Sequence, residues 1–126
     1  MFELTIKEQV YQFNFGMGFM RAVNKLISTP VDNLPDVKKN IGLRYKIAGI
    51  IDGDLEDLVD ILEMANSGQN PRVTRALLDA HIDDENTNVD ALCDEVIGFL
   101  RNANATKKTT EELLKVAEEQ KAKAAN

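Results

Sequence analysis

A chain of 126 residues is one domain by length, large enough to bury a modest core without disulfide or metal staples. Its 21 acidic against 15 basic side chains leave a formal charge of -6, which would repel a phosphate backbone and argues against a nucleic acid partner. With one cysteine, no basic-then-apolar leader and no apolar run near the roughly 20 residues that span a bilayer, the expectation is a soluble cytoplasmic protein. It should have no internal disulfide and no membrane partner.

Five of the seven aromatic residues, Phe2, Tyr11, Phe13, Phe15 and Phe19, fall in the first nineteen positions, so the core is expected to be seeded there. Phe2, Leu4 and Ile6 alternate with Glu3 and Thr5, and Tyr11, Phe13 and Phe15 alternate with Gln12 and Asn14, the period of two half-buried strands. The polar break Lys7-Glu8-Gln9 joins them as a hairpin. Past Gly16 and Gly18 the spacing of Phe19, Met20, Val23, Leu26 and Ile27 becomes helical. An isolated hairpin is marginal in water, so its apolar face needs a lid from the helical remainder.

Residues 28–35, with Pro30 and Pro35, read as an irregular crossing, and Asp36 as the cap of a short or broken helix running from Val37 to Ile51. Gly42 and Gly49 each cost that helix about 1 kcal/mol relative to alanine. Asp54 caps a clearer helix, in which Leu55, Leu58, Val59, Leu62 and Ala65 form a stripe and Glu56, Asp57, Asp60 and Glu63 take the other side, until Gly68 closes it. Asn70 and Pro71 suit the start of another short helix carrying Val73, Ala76, Leu77 and Ala80. After the acidic stretch 82–88, Val89, Leu92, Cys93, Val96, Ile97, Phe99 and Leu100 make the most apolar helical face of the second half, the candidate lid. Gly98 within it is a tolerated cost or a point of close backbone approach. Thr109-Thr110-Glu111-Glu112 resembles a capping box, and Leu113, Leu114, Val116 and Ala117 offer only a thin stripe. The expected fold class is α+β: an N-terminal antiparallel β-hairpin on a mainly α-helical body, residues 1–102, followed by a mobile C-terminal arm, residues 103–126, helical at best in part.

No catalytic constellation is visible. His81 is the only histidine, and a triad or metal site would have to be built around it alone. Cys93 sits on an apolar face with no basic neighbour to activate it. Asp52, Asp54, Glu56 and Glu63 imitate a calcium loop, but Asp57 stands where that loop needs glycine, and the helical stripe runs through it. Gly16 and Gly18 follow an antiparallel hairpin and lack the context of a dinucleotide loop. Lys38, Lys39, Arg44 and Lys46 read as a solvated face. These readings favour a non-enzymatic binding protein without cofactor or metal.

The segments FNFGMGFMRAVNK, GLRYKIAGIIDGDLEDLVDIL, PRVTRALLDAHID and DALCDEVIGFLRNANATKK, in this order between Phe2 and Lys108, resemble the tail assembly chaperones of long-tailed phages and prophages of Gram-positive bacteria. The resemblance implies a non-catalytic, non-virion factor of the host cytoplasm that binds the tape measure protein, keeps it soluble and helps the tail tube polymerise around it. It further implies that this chain is the short product, that a longer frameshifted form recruits the tail tube protein, and that the protein self-associates. A small structural tail or head-tail connector protein is the alternative. A helix-in-groove mode suits the role. Met17, Met20 and Met64 offer an adaptable surface, although core is the commoner fate of methionine at such spacing. Met17, Met20, Leu113 and Leu114 are the candidate protein-binding residues.

Overall fold

The computed structural model describes residues 1–125. Strands β1 (Phe2–Ile6) and β2 (Gln9–Phe13) pair antiparallel, Phe2 opposite Phe13 and Leu4 opposite Tyr11, as the alternation predicts. Lys7 and Glu8 form the two-residue turn with φ of 51° and 68°. Two consecutive left-handed residues make a turn whose twist matches that of the strands, at a steric cost that glycine or asparagine would largely avoid. Phe2, Ile6, Tyr11 and Phe13 are buried on one face.

Helix α1 (Met17–Asn24) follows, burying Phe19 and Val23. The chain then departs from the expected loop and broken helix. Residues 28–40 form a second antiparallel hairpin, β3 (Ser28–Val31) and β4 (Leu34–Asn40), so Asp36 lies within a strand and caps nothing. Asn33, at φ 65°, makes the turn. Periodicity could not reveal these strands, because every residue of β4 is exposed and the alternation of apolar with polar residues exists only where one face is buried.

The helical segment that does form is α2 (Gly42–Ile51). Its two glycines are close-approach sites: a Cβ at Gly42 would run into the Val23 carbonyl oxygen, and one at Gly49 into the Asp57 carboxylate. Asn24 Oδ1 accepts from the Leu43 N–H at 3.3 Å, so α1 ends against the start of α2.

Helix α3 (Leu55–Ala65) is capped by Asp54, whose carboxylate accepts from the Asp57 N–H at 3.1 Å. It buries Leu58, Val59, Ile61, Leu62 and Ala65, an arc wider than a single stripe, because α2 and α4 (Arg75–Asp83) both pack against it. Asp57 is therefore buried, contrary to its assignment to the solvent side. Its charge is met by Lys46 Nζ at 3.0 Å, and the same ammonium reaches Asp60 at 2.8 Å. Arg75 on α4 approaches the other oxygen of Asp60, also at 2.8 Å. The hydrogen bond to Asp60 raises the Lys46 pKa against the opposing pull of burial. Burial alone would push the Asp60 carboxyl up, but hydrogen bonds from Lys46 and Arg75 outweigh it and hold the group below its ordinary value.

Asn66, just past α3, is fully buried and uses its whole amide. Nδ2 donates to the carbonyls of Gln12 at 2.9 Å and Pro71 at 3.3 Å, while Oδ1 accepts from the Val73 N–H at 2.6 Å and Arg72 Nη1 at 2.8 Å. With the Asn14 N–H donating to the Ala65 carbonyl at 2.8 Å, this stitches the first hairpin to α3. Asn70 and Pro71, joined by a cis peptide, belong to the loop; Thr74 caps α4 by accepting from the Leu77 N–H.

Asn88 caps α5 (Val89–Asn102), which buries Leu92, Cys93, Val96 and Leu100 as its stripe predicts. Gly98 meets no neighbouring atom, so it is the tolerated cost and not a close approach. The expected lid is shared: α5 brings Phe99 over Phe2, with ring centroids 5.0 Å apart, and α3 holds the strand ends. Helix α6 (Lys107–Ala125) starts two residues before the suspected capping box. Buried Thr106 donates its hydroxyl to the Leu100 carbonyl, and buried Thr110 donates to the Thr106 carbonyl. Helix α6 packs on α2 and α5 with Leu113 against the core, support that such a helix lacks alone, while Val116 of the thin stripe stays exposed.

Candidate protein-docking groove

The aromatic cluster that seeds the core is buried, and only Phe99, packed on its edge, is exposed. Phe15 closes on Phe19 edge to face at 5.2 Å, and Phe2 lies against Phe13 at 5.6 Å and Phe15 at 6.1 Å. Where β1, the start of α1 and the end of α5 meet, Phe2, Phe13 and Phe15 underlie an open groove of about 480 Å³. Met1, Met17 and Phe99 stand at its walls, 65, 49 and 40 % exposed. Asn102, the last residue of α5, and residues 103–105 of the turn before α6 form the remaining rim. A second groove of about 350 Å³ adjoins it, lined in part by Met17, Gly18 and Met64, so Met17 borders both.

Of the four residues singled out from the sequence, Met17 alone lines this groove. Met20 is half-buried and packs against the core, as does Leu113. Leu114 is half-buried on α6. Phe99 and Met1 were missed. Phe99 lies at the edge of the α5 stripe, and only its exposure beside a buried Leu100 distinguishes it, which spacing alone cannot resolve.

The groove offers two flexible thioethers and the Phe99 ring, with Asn14 and Asn102 as polar lining, a surface chemically suited to apolar side chains. The groups with reactive side chains lie elsewhere. Burial pushes the Cys93 thiol up, with Asp90 and Asp94 adding to the shift, so it stays protonated. His81 is half-buried on α4, beside Asp84 and the first turn. Asp54 is occupied as a helix cap. Among the described residues, no cluster of three or more histidine, cysteine or acidic side chains has the geometry to hold a metal ion, and no helix is long and apolar enough to cross a membrane.

What the geometry defines is a small α+β body with an open, largely apolar groove at one end. The sequence of the whole body places it more closely. It matches the family model described as phage tail assembly chaperone protein, TAC, over residues 3–115, and the chain belongs to that family. No curated relative and no solved structure matches it.

Proposed function

We propose that this protein acts in tail assembly by binding the tape measure protein, keeping that long helical chain dispersed in the host cytoplasm and yielding it as tail tube subunits polymerise around it. The observation that carries the reading is the aromatic groove with Phe99 and Met17 exposed at its walls, in a member of a tail assembly chaperone family. A client helix with apolar residues at successive turns would place one or two of them against the exposed Phe99 ring, and the unbranched Met1 and Met17 would adapt to whichever residue arrives. The tail tube protein is recruited, in this reading, through a longer frameshifted form of the chain.

Co-expression with the tape measure protein of the same phage tests it. The chaperone should raise the client's soluble fraction and co-purify with it, and Phe99→Glu or Met17→Glu should abolish both while leaving the circular dichroism spectrum unchanged. No gain in solubility, or groove variants that work as well as the parent, would count against the proposal. Mass spectrometry of purified particles separates it from a structural tail protein, which would be present at stoichiometric copy number.

A further inference from the structure

The aromatic groove does not stop at Met17. It shares Asn14, Gly16 and Met17 with the second groove, which runs on beside α1 as far as Met64 of α3. Met64 also lines a third hollow, of about 290 Å³, together with Leu26, Ile27 and the charged side chains of Lys46, Asp60 and Glu63. Gly18 and Ala22, one turn apart on α1, form the wall of this path, and Leu26 continues it just past the helix. We propose that the three hollows are one lane, and that it takes a single amphipathic helix of the client, with an uncharged stripe of about four turns that ends on a lysine or arginine. The lane presupposes the client proposed above and gives it a footprint.

Charge sets the polarity of that footprint. No charged side chain lines either of the first two grooves, although 29 % of the residues in the chain are charged. Depletion of charge is what separates the centre of a protein interface from ordinary surface. At the far end the sign changes from none to negative. Lys46 and Asp60 are paired at 2.8 Å, and Arg75 takes the other oxygen of Asp60 while also reaching Glu56. Glu63 is left with that shared Arg75 at 3.5 Å, its side chain 33 % exposed. A client cation arriving there meets a carboxylate that its own neighbours satisfy poorly, on a protein of formal charge -6, and a client carboxylate would be repelled.

Gly18 supplies an independent sign. Glycine is the poorest helix former after proline, yet a Cβ at this position would meet no atom within 4 Å, so the fold itself has no use for bare backbone here. A helix laid across it does, because a missing side chain lets two backbones come close. The length also fits. Met17 to Leu26 spans about 14 Å at 1.5 Å per residue, close to three turns, and the aromatic groove adds about one more.

Peptides tiling the tape measure protein of the same phage test the lane, with affinity read by calorimetry. Gly18→Glu puts a charge into the lane at a position with open space, in a first turn that carries no acidic residue. It should raise the thermal midpoint by a few degrees and yet weaken binding about tenfold or more, opposite signs that a merely structural role would not produce. Leu26→Glu, at a side chain 49 % exposed, should weaken binding comparably, whereas Leu34→Glu, at 53 % on the β3–β4 hairpin, should change nothing. Glu63→Lys should weaken it most at low salt. Trimming the tightest peptide from about 16 residues to about 8 should cost at least tenfold. The lane is overturned if Gly18→Glu and Leu26→Glu bind like the parent while Phe99→Glu does not, or if the shorter peptide binds as tightly as the longer. Either result leaves the aromatic groove and its client standing. If neither the peptides nor the whole tape measure protein bind the parent, the lane and the proposed function fall together.

Discussion

Replacing Asn66 by alanine tests whether one fully used amide holds the first hairpin to the helical body. The substitution removes the acceptor of the Val73 N–H, at 2.6 Å and buried, and the donor to the Gln12 carbonyl at 2.9 Å. A buried donor left unmet costs about 1–3 kcal/mol, and each lost bond to a partly solvated group about 1 kcal/mol more. Arg72 is less affected, because its Nη1 also donates to the Glu63 carbonyl at 2.9 Å. The expected loss is therefore about 3 kcal/mol, a large fraction of a small domain's stability. Urea unfolding followed by circular dichroism should record it as a lower midpoint at constant slope. Asn66→Asp keeps an acceptor for Val73 but sets a carboxylate oxygen against the carbonyls of Gln12 and Pro71, so at neutral pH its loss should match or exceed that of alanine. A loss below about 1 kcal/mol for both variants would refute the assignment of Asn66 as the link.

Gly42→Ala should destabilise by about 2 kcal/mol in the same assay, although alanine is the better helix former by about 1 kcal/mol, because the Val23 carbonyl in its way is backbone and cannot rotate aside. Glu8→Gly, combined with Lys7→Asn, should stabilise by about 0.5–1 kcal/mol by relieving two left-handed side-chain residues in the first turn, measured as a raised thermal midpoint. Asp60 has a depressed folded-state pKa, so its contribution is present above the unfolded value of about 3.9 and is lost as pH falls through the lower folded value. Asp60→Asn should therefore flatten the acid limb of stability against pH. Lys46 runs the other way: its raised pKa gives a contribution that is complete below about pH 10.4 and is lost as pH climbs through the folded value, so Lys46→Met should flatten the alkaline limb.

The parts of the fold legible beforehand were those with one wet and one dry face. The alternation at Phe2, Leu4 and Ile6 and the stripes of α3 and α5 exist because burial is one-sided there. Where burial is absent or nearly all-round, the code fails. The β3–β4 hairpin, with all of β4 exposed and β3 at most half-buried, left only Pro30 and Pro35 to be seen, and these read as a loop. Asp57 was assigned to solvent because a charge on a stripe's far side is usually exposed, and its ion pair with Lys46, eleven positions earlier, carries no local signal. The groove was half visible. Met17 follows from its place at a strand-to-helix junction, but its neighbour Phe99 comes from the far end of the chain, and nothing in spacing says that the two meet. Asn66 gave no sign at all, since an asparagine after a helix is ordinary unless its partners are known.

The placement of Met1 has a practical corollary. Because Met1 stands at the wall of the aromatic groove, an affinity tag joined directly ahead of it begins its path at the mouth. Under the function proposed above, such a tag competes with the client, and cleaving it should strengthen the measured binding.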